Sequence, residues 1–196
     1  MAPRGASSLK KSKMNMPGLG SITGHTSSIT NSFVGAIIPV IDPTEADIAE
    51  ALAILNMLED DIRCAYCGDP ATEWDHLRPL VRDKQPTGHI SEIGNLVPCC
   101  GKCNQSKGNK PWREWILSNA RMSPATRNTP GLEARIHRLT TYEQTRPRKP
   151  LNFRALVGEE SWAVYWQNHS NLVAAMKKSQ EAADELRRMI QNSGAI

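Results

Sequence analysis

Four cysteines stand in two Cys-x-x-Cys pairs, Cys64 with Cys67 and Cys100 with Cys103. This spacing lets both thiolates of a tight turn face one ion, and four thiolates form the closed tetrahedral site of structural zinc. A redox Cys-x-x-Cys would need a thioredoxin-like βαβ setting, which the sequence does not supply. The pairs therefore predict a structural Zn²⁺ site. Cys99 breaks the spacing, so we expect it to be a buried free thiol.

Polar residues that could carry out chemistry lie between the cysteine pairs and directly after them. They are Asp75-His76, Asn95 and Asn104. The imidazole of His76 titrates near neutral pH and could act as a general base. Asp75 and Asn104 offer the hard oxygens that Mg²⁺ or Mn²⁺ takes, and Asn95 could hold the loop that aims the histidine. These groups suit phosphodiester hydrolysis, which needs an activated water and a Lewis acid on the phosphate.

Each of these residues also has an ordinary structural explanation. An Asp-His dipeptide is common in surface turns, and a single asparagine such as Asn95 often forms a turn. Asn104 could simply be a polar residue at the start of a helix. The joint placement within the cysteine pattern favours the catalytic interpretation. In that interpretation the zinc site ties the strand with Asp75 and His76 to the helix with Asn104.

The motifs of residues 62–116 resemble those of the HNH endonucleases. The matching stretches are Cys64-Ala-Tyr-Cys67-Gly, Trp-Asp75-His76-Leu-Arg-Pro-Leu and Gly-Asn95-Leu-Val-Pro-Cys-Cys100-Gly-Lys-Cys103-Asn104-Gln-Ser-Lys107-Gly. The resemblance implies an α+β fold class: a ββα-metal (HNH) core stapled by a four-cysteine zinc site, with mainly helical flanking regions and an extended basic N-terminal arm.

The resemblance also implies a role for each site residue. His76 would be the general base, Asp75 and Asn104 would bind a catalytic Mg²⁺ or Mn²⁺, and Asn95 would orient the histidine's loop. The four cysteines would bind zinc. Asn104 stands where many members of the family have a histidine. We therefore expect a weaker affinity for the catalytic metal, without loss of activity.

The implied function is cleavage of double-stranded DNA. The length and the basic N-terminal arm are most like a type II restriction endonuclease, which would act as a homodimer on a symmetric site. Nicking, homing and modification-dependent HNH nucleases are alternatives. An alternative of another class is a non-catalytic zinc-ribbon DNA-binding protein. That class explains the cysteines and the arm, but it leaves Asp75, His76 and Asn104 without a role.

The excess positive charge of the chain lies near its N-terminus. The net charge is +4, and residues 1–41 contain four bases and no acidic residue. Lysines near phosphates release condensed counterions, so we predict that Lys10, Lys11 and Lys13 contact DNA; a solvated tail is the ordinary alternative. Six bases flank the motifs and could also contact phosphates: Arg78, Arg82, Lys84, Lys107, Lys110 and Arg113. The basic stretch 145–154 is a further candidate.

Three regions are predicted along the chain. Residues 1–41 form the basic arm, residues 42–120 a helix followed by the zinc-bound catalytic core, and residues 121–196 a mainly helical region that could dimerise or contact DNA. The chain has no apolar run long enough to span a membrane and no secretory signal. A cytoplasmic location, in which thiols stay reduced, is therefore expected.

Apolar spacing predicts individual elements within these regions. A capping box at Thr44 begins a helix over about 44–58. The apolar run 33–41 predicts a strand or a packed extended segment, and residues 121–131 a linker. Near the C-terminus a heptad-like series predicts a helical seam, either docked on its own core or in a dimer contact: Leu172, Met176, Ser179, Ala183, Leu186 and Ile190. A second series, Trp112, Trp115 and Ile116, is interpreted as a core stripe rather than a base-stacking surface.

Overall fold

The structure is a computed structural model that describes residues 18–194. The chain contains both helices and strands, as predicted. In chain order they are α1 (Thr26–Ile37), α2 (Glu45–Ile54), β1 (Glu73–His76), β2 (Val81–Arg82), β3 (Gln85–Pro86), β4 (Leu96–Cys99), α3 (Gly101–Lys107), α4 (Trp112–Ile116), α5 (Leu132–Thr145), α6 (Phe153–Val157) and α7 (Glu159–Asn192). Within residues 18–194, no helix is long and apolar enough to cross a lipid bilayer. The predicted DNA contacts Lys10, Lys11 and Lys13 lie outside the described residues.

Strands β1 and β4 pair antiparallel, and helix α3 follows β4 almost at once. In the register, Asp75 lies opposite Val97, and His76 lies opposite Leu96. Successive side chains of a strand point to opposite faces. Asp75 is accordingly buried, whereas His76 is only partly buried. Helix α3 begins directly after Cys100, so the second cysteine pair spans the junction between strand and helix.

A small hairpin of β2 and β3 interrupts the chain between β1 and β4. Its turn residues, Asp83 and Lys84, both have positive φ angles, of 50° and 63°. Two successive positive φ values are those of a type I′ turn, whose twist matches that of the flanking strands. The hairpin leaves Arg82 and Lys84 exposed beside β1.

Helix α2 begins as predicted but ends earlier. Thr44 and Asp47 form the capping box, with the backbone amide of each bound by the side chain of the other. The helix ends at Ile54 because Asn56 adopts a positive φ of 55°, the conformation that closes helices at their C-terminus. Leu58, the last residue of the predicted span 44–58, therefore lies outside the helix and is exposed.

The apolar run 33–41 is mostly helical rather than extended. Its first half belongs to α1, and Val34 and Ile38 are buried in a small core with Val81 and Phe153. A run of this length cannot be assigned to a strand or a buried helix from periodicity alone. Helix α1 packs on the C-terminal helix α7, so residues 26–37 of the predicted arm are folded onto the rest of the protein.

Aromatic side chains join α7 to α1. The ring of Phe33 lies 5.3 Å from that of Tyr165 and 5.0 Å from that of His169, measured between centroids. The hydroxyl of Thr30 lies 3.0 Å from Nε2 of His169. The N-terminal half of α7 is thus anchored by one aromatic face, and His169 has a structural place in it.

The predicted seam further along α7 is largely uncovered in the described part of the chain. Leu172, Leu186 and Ile190 are 40%, 60% and 59% exposed. The interpretation that the whole seam docks on its own core is therefore not supported within residues 18–194. By contrast, Trp112, Trp115 and Ile116 are buried in the main core, as the core-stripe interpretation predicts.

Gly88 holds the loop after β3 against the segment that precedes α6. Its φ is +90°, and an added Cβ would lie 2.4 Å from the carbonyl oxygen of Leu151. We expect Gly88→Ala to lower the free energy of unfolding by about 3 kcal/mol, because backbone strain and a clash add. Gly131→Ala is the matched control: φ is +64° in open space, and the expected loss is about 1 kcal/mol. Unfolding in urea measures the loss of stability in both variants. Equal losses would contradict the close approach of Gly88 to Leu151.

Candidate functional site

The two cysteine pairs converge on one point. The sulfur atoms of Cys64, Cys67, Cys100 and Cys103 all lie within 4.8 Å of one another, and all four residues are buried. Four thiolates around one point are the ligand set of a structural zinc ion, so the residues fit the predicted metal. Cys99 lies outside this group. Burial raises the pKa of the Cys99 thiol well above its usual range, as befits an unreactive cysteine.

An arginine from the predicted linker contacts the cysteine group. Nη2 of Arg127 donates to the sulfur of Cys103 at 2.9 Å, and Nη1 lies 3.7 Å from Asp69. The segment is anchored by the fully buried Ser123, whose hydroxyl donates to the carbonyl of Ser118 at 2.6 Å. Four thiolates around Zn²⁺ carry net negative charge, so a guanidinium at the sulfur would stabilise the loaded site. Residues 121–131 are thus part of the site, a role that no motif indicated.

Asp75 lies in a buried polar cluster directly beside the cysteines. Its Oδ2 accepts a hydrogen bond from the hydroxyl of Tyr66 at 2.7 Å and lies 3.0 Å from Nζ of Lys107. Nζ of Lys107 also lies 3.3 Å from Oδ1 and donates to the carbonyl oxygen of His76 at 2.8 Å. Burial, followed by the charge of Asp75, raises the pKa of Tyr66. Tyr66 is therefore a hydrogen-bond donor to the carboxylate.

Lys107 is not the phosphate contact that the sequence suggested. It is 0% exposed, and its ammonium group is surrounded by the oxygens of Asp75, His76 and Gly108. A buried ammonium requires a counter-charge and several acceptors, and this cluster supplies both. Lys107 instead holds strand β1 against helix α3.

Asn104 is oriented by a residue that the sequence reasoning missed. Its Nδ2 donates to Oε2 of Glu73 at 3.0 Å. This bond directs the amide nitrogen to β1 and leaves the amide oxygen available as a ligand. Glu73 precedes Asp75 by two positions, and residues i and i+2 share a face of a strand. That alternation was the signal that could have identified it.

The imidazole of His76 lies at the same junction. Its Nε2 is 3.0 Å from the hydroxyl oxygen of Ser91. Burial lowers the pKa of His76, the charge of Asp75 opposes this effect, and the ammonium of Lys107 adds to it. The net shift favours the neutral imidazole, which is the form that can accept a proton.

Asn95 is fully enclosed and binds the loop that follows His76. Its Oδ1 accepts from the backbone amide of Arg78 at 2.8 Å, and its Nδ2 donates to the carbonyls of Arg78 at 3.0 Å and Ile90 at 3.1 Å. The side chain thus bonds the backbone near the beginning and near the end of the connection between β1 and β4. Its contacts are those expected of a residue that orients the histidine's loop, a role that stays a prediction.

One open cleft brings together Asp75, His76 and Asn104, whereas Asn95 does not line it. Its volume is about 170 Å³, and its lining includes Asp75, His76, Asn104 and Lys107. Asp75 and Asn104 offer one carboxylate and one amide oxygen, which fit the hard-oxygen preference of Mg²⁺ or Mn²⁺. Lys107 places one positive charge beside the same carboxylate. That charge opposes cation binding, which agrees in direction with the weak affinity expected from Asn104.

The predicted phosphate contacts differ in how exposed their side chains are. Arg78 is bound to the carbonyls of Gly94 and Glu143, so its guanidinium is structural. Arg113 pairs with Glu143 and remains half-exposed. Arg82, Lys84 and Lys110 are exposed. Arg82 lies 3.9 Å from Asp83, and Nζ of Lys110 donates to the carbonyls of Ser106 and Lys107. Arg78 and Lys107 differ from the predicted phosphate contacts for the same reason, because the side chain of each donates to acceptors within the protein.

Removal of one clustered cysteine should remove the metal. We expect about one zinc per chain in the wild type, and little or none in Cys100→Ser, which loses one of four ligands. Cys99→Ser is the matched control, because Cys99 is the adjacent residue, is also buried and lies outside the cluster. Metal analysis of purified protein provides the measurement. Zinc retained by Cys100→Ser, or lost from Cys99→Ser, would contradict the assigned ligands.

Removal of Lys107 should be strongly destabilising. Lys107→Ala leaves the Asp75 carboxylate buried without its cation, at an expected cost of about 3–5 kcal/mol in the free energy of unfolding. Lys110→Ala, three residues further along, removes an exposed lysine and should leave stability close to that of the wild type. Denaturant unfolding of the zinc-loaded proteins measures both. A small loss for Lys107→Ala would show that the ion pair is not buried in solution.

Comparisons with known proteins identify this region. Residues 64–110 match the family model described as HNH endonuclease. Over 82 residues the chain is 36% identical to the CRISPR-associated endonuclease Cas9 of Corynebacterium diphtheriae, strain ATCC 700971 / NCTC 13129 / Biotype gravis. The aligned part covers 40% of this chain and 7% of that protein. No solved structure matches the chain. Residues 64–110 are therefore an HNH endonuclease domain within this chain.

Proposed function

We propose that this chain is a metal-dependent endonuclease that hydrolyses phosphodiester bonds in double-stranded DNA. The observation that carries the proposal is the cleft shared by Asp75, His76 and Asn104 within the HNH domain. Strands β1 and β4 with helix α3 would form the ββα-metal core of that family. A non-catalytic zinc-ribbon protein would need the cysteine cluster, but it would have no use for a base and two oxygen ligands in one cleft.

The side chains of the cleft can be assigned complementary tasks. Asp75 and Asn104 would hold Mg²⁺ or Mn²⁺, which supplies positive charge beside the scissile phosphate when bound. The neutral imidazole of His76 takes a proton from the attacking water as the new oxygen–phosphorus bond forms. The bond from phosphorus to the leaving oxygen breaks, and that oxygen takes up a proton from solvent. Asn95 keeps the loop after the histidine in place. The zinc cluster has no open position, so its task is structural.

The charges around the cleft support a nucleic-acid substrate. Arg82, Lys84 and Lys110 are exposed on the β2–β3 hairpin and after α3. Contacts of lysine and arginine with phosphates fix the register of a protein on DNA without reading its sequence. Binding by these residues should therefore be sensitive to salt. The basic stretch 145–154 supplies a further candidate surface, with Arg148 half-exposed beside Glu92.

More specifically, we propose a type II restriction enzyme that acts as a homodimer and cuts both strands of a symmetric site. The exposed apolar residues of α7, Leu172, Leu186, Met189 and Ile190, offer a surface for such a dimer. The similarity to a CRISPR-associated endonuclease favours retaining other HNH nucleases as the alternative. Supercoiled plasmid separates them: fixed-site linear product supports the restriction enzyme, and persistent open circles support a nickase.

Substitution of His76 should strongly reduce the rate of DNA cleavage. We expect the zinc-loaded wild type to cut duplex DNA in Mg²⁺ or Mn²⁺, and His76→Ala to reduce the rate by about 100-fold or more, since general-base catalysis contributes about 10²–10⁴. His137→Ala removes an exposed histidine of α5 and should leave the rate unchanged. Gel analysis of a plasmid digest measures all three. A wild type that binds duplex DNA in either metal but never cuts it would exclude the enzyme and favour the zinc-ribbon alternative.

A further inference from the structure

The His76 ring has one protein partner within the described residues, the hydroxyl of Ser91. The distance from Nε2 to Oγ is 3.0 Å. Nδ1 of the ring makes no hydrogen bond to any of residues 18–194. Ser91 belongs to none of the sequence motifs. It lies in the connection between β3 and β4, four positions before Asn95.

We propose that Ser91 is a positioning residue that fixes the tautomer of His76, with Nε2 protonated and the lone pair on Nδ1. The proposal rests on the function proposed above and names the nitrogen that acts as the base. In a neutral imidazole one nitrogen is a donor and the other an acceptor. The hydrogen bond made by one nitrogen determines the state of the other. If Ser91 accepts from Nε2–H, Nδ1 holds the lone pair that receives the proton from water.

The surroundings of the ring favour this direction of the bond. The opposite direction would put the ring proton on Nδ1, where it would need an acceptor. The carboxylate of Asp75, the preceding residue, bonds Tyr66 and Lys107 and makes no hydrogen bond to the ring. The carbonyl oxygen of His76 is likewise occupied by Lys107. With Nε2 protonated, Ser91 supplies an acceptor on one side of the ring and leaves the lone pair of Nδ1 unblocked.

Ser91 is itself held in place by the segment after α1. Its backbone amide donates to the carbonyl of Pro39 at 3.1 Å, and its carbonyl accepts from the amide of Ile41 at 2.8 Å. On the other side, Asn95 binds the carbonyl of Ile90 at 3.1 Å. A hydroxyl can orient a ring only if its own backbone is fixed. These bonds on both sides of the residue meet that condition.

The chain offers a matched control for the hydroxyl–imidazole contact. Thr30 and His169 form the same kind of pair, also at 3.0 Å from Oγ1 to Nε2, at the α1–α7 packing. Thr30→Val removes that hydroxyl with little change in volume. Thr30→Val should alter the tautomer of the His169 ring. It should leave the tautomer of His76 and the cleavage rate as they are in the wild type.

The test combines a direct measurement of the tautomer with kinetics. Nitrogen-15 NMR of the zinc-loaded protein, at a pH above the ordinary pKa of histidine of about 6.5, should show His76 in the Nε2–H form. Ser91→Ala should populate both tautomers and lower kcat by about 10- to 100-fold with KM little changed, the usual range for a residue that orients a functional histidine. Ser91→Thr keeps the hydroxyl and should restore both readouts.

The outcomes separate this inference from the proposed function. A wild type with His76 in the Nδ1–H form, or an unchanged tautomer in Ser91→Ala, would overturn the role of Ser91 whether or not the protein cuts DNA. An active wild type whose kcat is unaffected by Ser91→Ala would also overturn it. A protein that shows the expected tautomers but no cleavage would refute the nuclease function while leaving the control of the ring by Ser91 intact.

Discussion

The buried ion pair between Asp75 and Lys107 is the contact on which the rest of the site depends. Removing two charges from water is costly, and the cost is offset only when the remaining lone pairs and protons also find partners. Tyr66 and the carbonyl oxygens of His76 and Gly108 provide them. Strand β1 and helix α3 therefore cannot shift without exposing an unpaired charge. That constraint fixes the place of Asp75 relative to Asn104, which lies on α3 one turn before Lys107.

The cysteine cluster acts on the same helix from its other end. Cys103 and Lys107 are i and i+4 on α3, so one face of this short helix bears both a cysteine of the cluster and the cation of the ion pair. Seven residues form too short a helix to be stable alone. Its stability must come from these two contacts and from the core around Trp115. With a metal bound, the cysteine cluster and the buried ion pair would together replace the larger core otherwise needed to hold Asn104 in place.

The histidine side of the cleft is supported differently, by neutral hydrogen bonds from distant parts of the chain. Asn95 binds the backbone on both sides of the β1–β4 connection, and residues 39–41 bind Ser91. Helices α1 and α7 pack together through aromatic side chains just before this segment. The N-terminal and C-terminal regions therefore support the geometry of the cleft, although neither contributes a lining residue within the described part of the chain.

The sequence by itself determined the ligands and the candidate catalytic groups. Cys-x-x-Cys spacing is a local property, as is the capping box at Thr44, and the structure agrees with both. Only the tertiary structure decided which charged residues are free. Lys107 and Arg78 look like surface bases in a one-dimensional motif, but buried acceptors from other elements enclose them. The roles of Glu73, Ser91 and Arg127 were likewise decided by contacts between segments far apart in the chain. Local spacing specifies which atoms can bind a metal or a proton, whereas the partners that orient those atoms are chosen by packing.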